Sequence, residues 1–130
     1  AKALACVLKA MGAEVTIFAR SETALADAYT KGFKAEYFSA LTNEYHSFDA
    51  LINTVPTKVI GKKQLEALNP DCLLIETASA PFGIDFQDAK EKAMEVIKAS
   101  SLPGKVAPQT AGEIIGRSIL PIIKQRGFTE

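Results

Sequence analysis

Short apolar runs alternate with amphipathic helical patterns along this chain. The apolar runs predict strands at residues 15–19, 35–38, 50–53, 72–76 and 96–98. Helical spacing predicts helices over 2–11, 22–31, 62–68, 86–92 and 108–126, with 40–46 left open as one helical turn. This alternation favours parallel strands joined by right-handed crossovers. The sequence therefore predicts an α/β fold with a doubly wound, Rossmann-like parallel sheet.

The start of the chain lacks part of that fold. The helix over 2–11 ends at Gly12 and leads into the strand over 15–19, which is apolar on both faces and is expected to be covered on both. These elements correspond to the second half of the first βαβ unit. The first strand and the glycine-rich loop are not in the sequence, and in the order 3-2-1-4-5-6 that strand is central. We expect either that strands 15–19 and 50–53 pair in an altered way or that the natural protein continues upstream. The second alternative is favoured, so that residues 1–130 form an NAD(P)-binding domain that binds dinucleotide weakly, or not at all, without the missing loop.

Charge and composition exclude several classes of function. Fifteen basic residues balance fifteen acidic ones, so the basic excess typical of nucleic-acid binders is lacking. One histidine and no CxxC spacing argue against a protein-held metal. No apolar run is long enough to cross a bilayer and no secretory signal is found, so we expect a cytoplasmic protein without membrane contact. Cys6 and Cys72 lie in apolar runs and are predicted to be buried thiols.

Arg20 is the candidate for cofactor selection. In the fingerprint G-x-G-x-x-G/A, an acid at the end of the second strand binds the ribose hydroxyls of NAD. If Ala1 is the last small residue of that fingerprint, Arg20 holds the place of the acid. Arginine followed by Ser21 at a helix start suits a 2′-phosphate, which predicts a preference for NADP(H). The alternative is a solvated arginine at a strand end.

Further candidates follow the other strands, because open α/β sheets bind ligands at the carboxyl ends of their strands. Seven small or polar residues there are predicted to contact the cofactor: Asn53, Thr54, Val55, Pro56, Thr77, Ala78 and Ser79. The first four also fit an ordinary strand-ending turn. Ser79 is a weaker candidate for binding a substrate carboxylate, and Glu76 for a base. His46 is expected at the surface without a catalytic role, and no catalytic residue is assigned.

The run from Leu102 to Glu113 joins the last strand to the long final helix. Pro103, Gly104 and Val106 are predicted to contact the cofactor. Lys105 and Thr110 are weak candidates for the substrate, with solvation and helix capping as the alternatives. The isoleucine stripe of the final helix predicts core packing, with a second domain or a homo-oligomer seam as alternatives. Pro121 is expected to kink that helix or to end it early.

Four segments carry a resemblance to a known family. GAEVTIFARS, INTVP, ETASAPFGIDF and ASSLPGKVAPQTAGEII follow one another in this order. Together they resemble the C-terminal NADP-binding domain of the dipicolinate synthase A-subunit family. The resemblance implies an NADP-dependent oxidoreductase of spore-forming bacteria that oxidises a dihydrodipicolinate-type precursor to dipicolinate. It also implies a small dicarboxylate substrate, an N-terminal domain and a partner, the flavoprotein-like B-subunit.

The chain departs from the family in one loop. Family members tend to have a basic residue followed by Pro-Gly-Gly where this chain has Ala80-Pro81-Phe82-Gly83. The departure leaves a different substrate open. Two alternatives to the leading interpretation therefore stand: a hydroxyacid-dehydrogenase-like enzyme, and a non-catalytic dinucleotide-binding or assembly module.

Overall fold

The computed structural model describes residues 2–99 and 108–125, without the side chains of 108–115 and 123. Its helices are α1 (Lys2–Ala10), α2 (Glu22–Thr30), α3 (Ala40–Asn43), α4 (Lys62–Glu66), α5 (Phe86–Glu91) and α6 (Pro108–Gln125). Its strands are β1 (Thr16–Ala19), β2 (Lys34–Tyr37), β3 (Ala50–Asn53), β4 (Leu73–Glu76) and β5 (Val96–Lys98). The predicted α/β order is confirmed.

Local sequence signals set the ends of the first two helices. Gly12 and Gly32, just beyond α1 and α2, have φ values of +94° and +74°, which glycine adopts without steric cost. Ser21 precedes α2 in an extended conformation, and its hydroxyl oxygen accepts a hydrogen bond from the Ala24 N–H at 3.3 Å. The predicted cap and stops are therefore confirmed.

The strands form two parallel sheets in the described part of the chain. One contains β1 and β2, and the other has the order β3-β4-β5. The altered pairing of β1 with β3, one of the two alternatives from the sequence, is not seen between these residues. Among the described residues, each of these two strands has a hydrogen-bonded neighbour on one side only.

Side chains connect the two sheets. On one face, Phe18 of β1 packs with Leu51 of β3 and with residues of α3, α4 and α5. On the other face, Val15 packs with Ile52 of β3 and with α1 and α6. All four residues of β4 are buried, whereas all four of β1 are half-buried. Both faces of β1 are covered by apolar clusters, through Phe18 on one face and through Ile17 and Ala19 on the other, but the strand is less deeply buried than β4.

The long helix α6 packs against α1. It continues past Pro121 to Gln125, so the expectation that proline ends it early is wrong. Gly116 is buried at the contact, where an added side-chain carbon would lie 2.9 Å from Cγ1 of Val7. Of the helices described, none combines the length and the apolar character needed to cross a bilayer.

Candidate functional site

The carboxyl ends of β3, β4 and β5 meet at one edge of the three-stranded sheet. The parallel register places Asn53 beside Glu76 and Glu76 beside Lys98. In open α/β folds this edge is where ligands bind. We call it the ligand edge, and it includes the loops that follow β3 and β4.

Glu76 is the structural centre of the ligand edge. Its side chain is completely buried. One carboxylate oxygen accepts from the Ala78 N–H at 2.8 Å, and the other accepts from the N–H groups of Gly83 and Ile84 at 2.8 and 2.9 Å. The Asn53 amide nitrogen lies 2.9 and 3.1 Å from the two oxygens. Every partner is a donor, which suits an ionised carboxylate.

This arrangement overturns the weak suggestion that Glu76 is a base. Both of its oxygens are occupied by protein N–H groups, and the side chain has no access to a ligand. The carboxylate instead ties the ends of β3 and β4 to the loop over residues 80–84. An acid as the last residue of an otherwise apolar strand was the available sequence signal, but its partners come from three separate segments.

Asn53 is also committed to protein partners. Its amide donates to the Val55 carbonyl oxygen at 2.9 Å as well as to Glu76, and its side-chain oxygen accepts from the Val55 N–H at 3.2 Å. The Thr77 hydroxyl donates to the Asn53 carbonyl oxygen at 2.7 Å, and Thr77 is buried. These side chains shape the edge. Their contact with a cofactor stays a prediction. Because the side chains are bound to protein groups, such a contact would be made by the backbone of their turns.

Gly83 allows the loop to approach the end of β3. A side-chain carbon at this position would overlap the Asn53 amide and lie 2.6 Å from the Val55 carbonyl oxygen. The preceding residue, Phe82, has a φ of +65°, a left-handed conformation that residues other than glycine rarely adopt. The loop therefore carries a required glycine next to a strained aromatic residue.

Aromatic and basic side chains stand over this loop. The rings of Phe82 and Phe86 meet edge to face, with centroids 5.3 Å apart. The ammonium of Lys98 lies 4.1 Å from the Phe86 ring centroid and 5.7 Å from that of Phe82. No sequence pattern predicted this cluster. The signal that could have found Lys98 is its position as the last residue of a strand, the same position that singled out Asn53 and Glu76.

Asp85 fixes the start of α5 and with it the position of Phe86. Its carboxylate accepts from the N–H groups of Gln87 and Asp88 at 3.0 and 3.2 Å, and Lys58 lies 2.7 Å away. The hydrogen bond from Lys58, reinforced by the helix amides, holds the pKa of Asp85 below its ordinary value. The cap thus stays charged at neutral pH.

Arg20 and Ser21 lie at the carboxyl end of β1, in the other sheet. Arg20 is exposed, and its guanidinium carbon lies 5.7 Å from the centroid of the Phe38 ring. Ser21 caps α2 directly after it. Arg20 therefore directly precedes the N-cap of α2, and the contact described for its guanidinium is with the Phe38 ring.

The other predicted site residues divide by accessibility. Thr54, Val55, Pro56 and Ser79 are exposed at the ligand edge, whereas Ala78 is buried. Several fall outside the described residues: Ala1, Pro103, Gly104, Lys105 and Val106. Thr110 lies in the first turn of α6, and its side chain is not described.

Two expectations about reactive side chains are wrong. His46 is buried rather than at the surface: its ring stacks on Phe48 at 4.9 Å, and Nε2 lies 3.1 Å from the Ala40 carbonyl oxygen. Cys6 is exposed, because it lies on the outer face of α1. Cys72 is buried as expected, and burial, reinforced by the charge of Asp49, raises the pKa of its thiol to about 12. Within residues 2–99 and 108–125, no group of three or more potential ligands is placed to hold a metal ion.

The fold and the ligand edge define the chain as a Rossmann-like α/β domain, the class that commonly binds dinucleotides. No protein-family profile matches it. The chain is homologous to the A-subunit of dipicolinate synthase. It is 31% identical to that subunit from Bacillus subtilis over 122 residues, which is 94% of this chain and 41% of the relative.

Solved structures agree with this homology. The crystal structure of the dipicolinate synthase A-subunit from Bacillus subtilis matches with a TM-score of 0.72 and 32% identity, covering 94% of this chain and 42% of that one. The corresponding structure from Bacillus halodurans matches with a TM-score of 0.70 and 31% identity, covering 88% and 40%. The chain thus spans less than half the length of the relatives it matches.

Proposed function

We propose that this chain is the dinucleotide-binding domain of an NADP-dependent oxidoreductase that oxidises a dihydrodipicolinate-type precursor to dipicolinate. The observation that carries the proposal is the homology to the A-subunit of dipicolinate synthase over nearly the whole chain. The ligand edge supports it, because loops at the ends of parallel strands are where such folds hold a dinucleotide and its substrate. The chain spans 41% of the length of this relative, and the oxidation is proposed for the protein as a whole.

NADP is the proposed cofactor because of Arg20. Arg20 is exposed at the end of β1, directly before the N-cap of the nine-residue helix α2, and would bring positive charge to where the ribose of a bound dinucleotide would lie. The turn from Ala19 to Ser21 that ends β1 contains no acid that would compete for the ribose hydroxyls. The exposed turn at Thr54–Pro56 and the loop at Ser79 are the proposed contacts for the remainder of the cofactor, together with the predicted contacts at Ala1, Pro103, Gly104 and Val106.

The chemistry divides between the cofactor and the chain. A bound nicotinamide would accept the hydride from the substrate. The chain's own residues fix the geometry: Glu76 and Asn53 hold the ends of β3 and β4 and the 80–84 loop in one arrangement. Ser79 is a proposed donor to the substrate, and Lys105 and Thr110 remain weaker proposals. The name of the relative marks it as one subunit of a synthase, and we propose that the partner here is a second, flavoprotein-like subunit.

His46 is not placed to supply the histidine that the hydroxyacid-dehydrogenase alternative needs. Such an enzyme needs a histidine at the ligand edge, and His46 is the one histidine in the sequence. It is buried and precedes β3, whereas the ligand edge is formed where β3 ends. A non-catalytic dinucleotide-binding module remains the alternative to test.

Cofactor choice tests the proposal. In the natural protein at its full length, we expect NADP(H) to bind at least about tenfold more tightly than NAD(H), measured by fluorescence titration. Arg20→Asp should reverse this preference, because a carboxylate repels the 2′-phosphate and accepts from the ribose hydroxyls. Lys34→Asp is the matched control, since Lys34 is also exposed but starts β2 at the opposite end of the sheet. Equal affinities, or tighter binding of NAD(H), would refute the assignment of Arg20.

Turnover separates the enzyme from the binding module. Formation of dipicolinate should be followed with the natural protein, with and without the candidate second subunit. We expect dipicolinate to form with NADP⁺ as oxidant. Cofactor binding without product in both assays would favour the non-catalytic module.

A further inference from the structure

Lys98 is a cation held in place at the ligand edge. It ends β5, is exposed, and its ammonium lies 4.1 Å from the Phe86 centroid and 5.7 Å from the Phe82 centroid. A lysine on a strand end would otherwise sample many rotamers, and the two rings restrict it by cation–π attraction. In the described part of the chain Lys98 forms no ion pair with a carboxylate. Within the described residues, its ammonium is thus held by aromatic rings and not by a carboxylate.

The position of this ammonium follows from the strand register. Lys98 pairs with Glu76 across the sheet, and Glu76 binds the N–H groups of Gly83 and Ile84 directly after Phe82. Phe82 in turn donates its N–H to the Ser79 carbonyl oxygen at 3.0 Å. The Lys98 ammonium therefore lies near the loop that begins at the exposed Ser79.

The left-handed backbone of Phe82 indicates that its side chain, which glycine would lack, makes contacts that matter. A left-handed conformation is sterically disfavoured for a residue with a side chain. Glycine would avoid this cost, and the loop already uses glycine at the next position. What the phenyl ring adds in the structure is its contacts with Phe86 and with the ammonium of Lys98.

We propose that Lys98 binds a carboxylate of the substrate at the ligand edge, and that Phe82 and Phe86 are positioning residues that hold its ammonium over the 80–83 loop. The inference deepens the proposed function and rests on it. A planar cyclic dicarboxylate fits this cluster, because the ammonium pairs with a carboxylate while the exposed part of the aromatic cluster contacts the apolar ring. A phosphate would require more donors than one ammonium provides, such as a helix N-terminus or a backbone nest.

Binding of pyridine-2,6-dicarboxylate to the natural full-length protein tests Lys98. Titration calorimetry with saturating NADP⁺ should show that Lys98→Met weakens dicarboxylate binding at least about tenfold, whereas Lys98→Arg changes it less than about threefold. Lys9→Met is the matched control, because Lys9 is also exposed and its ammonium also lies over an aromatic ring, 5.0 Å from the Phe33 centroid, but it projects from α1 and not from the ligand edge. It should leave binding within about twofold. The NADP⁺ affinity of every variant should match that of the wild type.

Phe82 is tested by rescue. Phe82→Leu removes the aromatic face and should raise KM for the dicarboxylate substrate about three- to tenfold with little change in kcat. Phe82→Tyr keeps the face and should restore the wild-type KM. Because leucine and tyrosine share the backbone cost of phenylalanine, equal KM values for the two variants would overturn the positioning role.

The outcomes separate this inference from the proposed function. If the wild type binds the pyridine dicarboxylate and Lys98→Met binds it equally well, the role of Lys98 is refuted and the proposed function stands. If the wild type binds only an aliphatic dicarboxylate such as glutarate, and loses it in Lys98→Met, the role of Lys98 stands and dipicolinate as product is refuted. Binding of neither compound would overturn both.

Discussion

A buried carboxylate with only donors around it constrains residue choice at Glu76. Both oxygens accept N–H groups, so replacing either oxygen with an amide nitrogen places a donor against donors. A buried polar group left without its partner costs about 1–3 kcal/mol. The geometry therefore requires a group that accepts on both atoms, which only a carboxylate of this length provides.

We expect Glu76→Gln to lower the free energy of unfolding by about 3 kcal/mol, since in either orientation its amide nitrogen faces at least two N–H groups. Urea denaturation measures this change. Glu66→Gln is the control, because Glu66 is exposed and its ion pair with Lys92 spans 3.8 Å. It should cost less than about 0.5 kcal/mol. A Glu76→Gln variant as stable as the control would contradict a structural role for the carboxylate.

Residue identity predicted local conformation at this scale but not long-range contact. The cap at Ser21 and the turns at Gly12 and Gly32 depend on neighbours a few residues away, which the sequence displays directly. The partners of Glu76 come from three segments, and the aromatic partners of Lys98 come from the 80–83 loop and from α5. Neither set could be read from spacing, so the burial of Glu76 and the aromatic contacts of Lys98 required the structure.

At the scale of elements, hydrophobic periodicity predicted every strand to within one residue at each end. The expectation based on Pro121 was wrong, because packing overrides local preference there. Proline disfavours a helix interior because it lacks an N–H and crowds the preceding turn, yet α6 continues four residues past Pro121. Packing of α6 on α1 and on the sheet, through Ile119 and Leu4, supplies burial that a local pattern does not reveal.

The α1–α6 contact depends on the small size of Gly116. Alanine there gains about 1 kcal/mol of helix propensity but places a carbon 2.9 Å from Val7 Cγ1, and overpacking costs about 1–3 kcal/mol. We expect Gly116→Ala to lower the free energy of unfolding by about 1 kcal/mol. Val7→Ala should cost at least about 1 kcal/mol less in the Gly116→Ala background than in the wild type, in a double-mutant cycle from urea denaturation. If the effects of Val7→Ala and Gly116→Ala on the free energy of unfolding are additive, α1 and α6 accommodate the added methyl group without strain.

At the scale of the whole molecule, the described chain consists of two hydrogen-bonded sheets joined by side chains. Backbone pairing links β3, β4 and β5 to one another and β1 to β2, while Phe18 and Val15 make apolar contacts between the two sets. Backbone pairing is cooperative along a sheet, whereas apolar contacts alone tolerate local opening. Stability is therefore expected to be uneven, and Arg20, the residue proposed to select the cofactor, lies in the sheet that is expected to be less protected.

Hydrogen exchange of the 130-residue chain tests this division. We expect the amides of β4 to exchange at least about 100-fold more slowly than those of β1, because β4 is fully buried between two strands and β1 is half-buried with one. The internal control is β5, which also has a strand neighbour on one side only among the described residues but belongs to the larger sheet.

If edge position alone set the exchange rates, the amides of β5 and β1 would exchange at the same rate. Slower exchange in β5 than in β1 would mean that the β1–β2 sheet opens as a separate unit, whereas exchange of β1 as slow as that of β4 would mean that both sheets unfold together. If the β1–β2 sheet opens separately, a ligand that contacts both Arg20 and the ligand edge should slow exchange in β1 more than in β4. Such a ligand would link two sheets that share no backbone hydrogen bonds among the described strands.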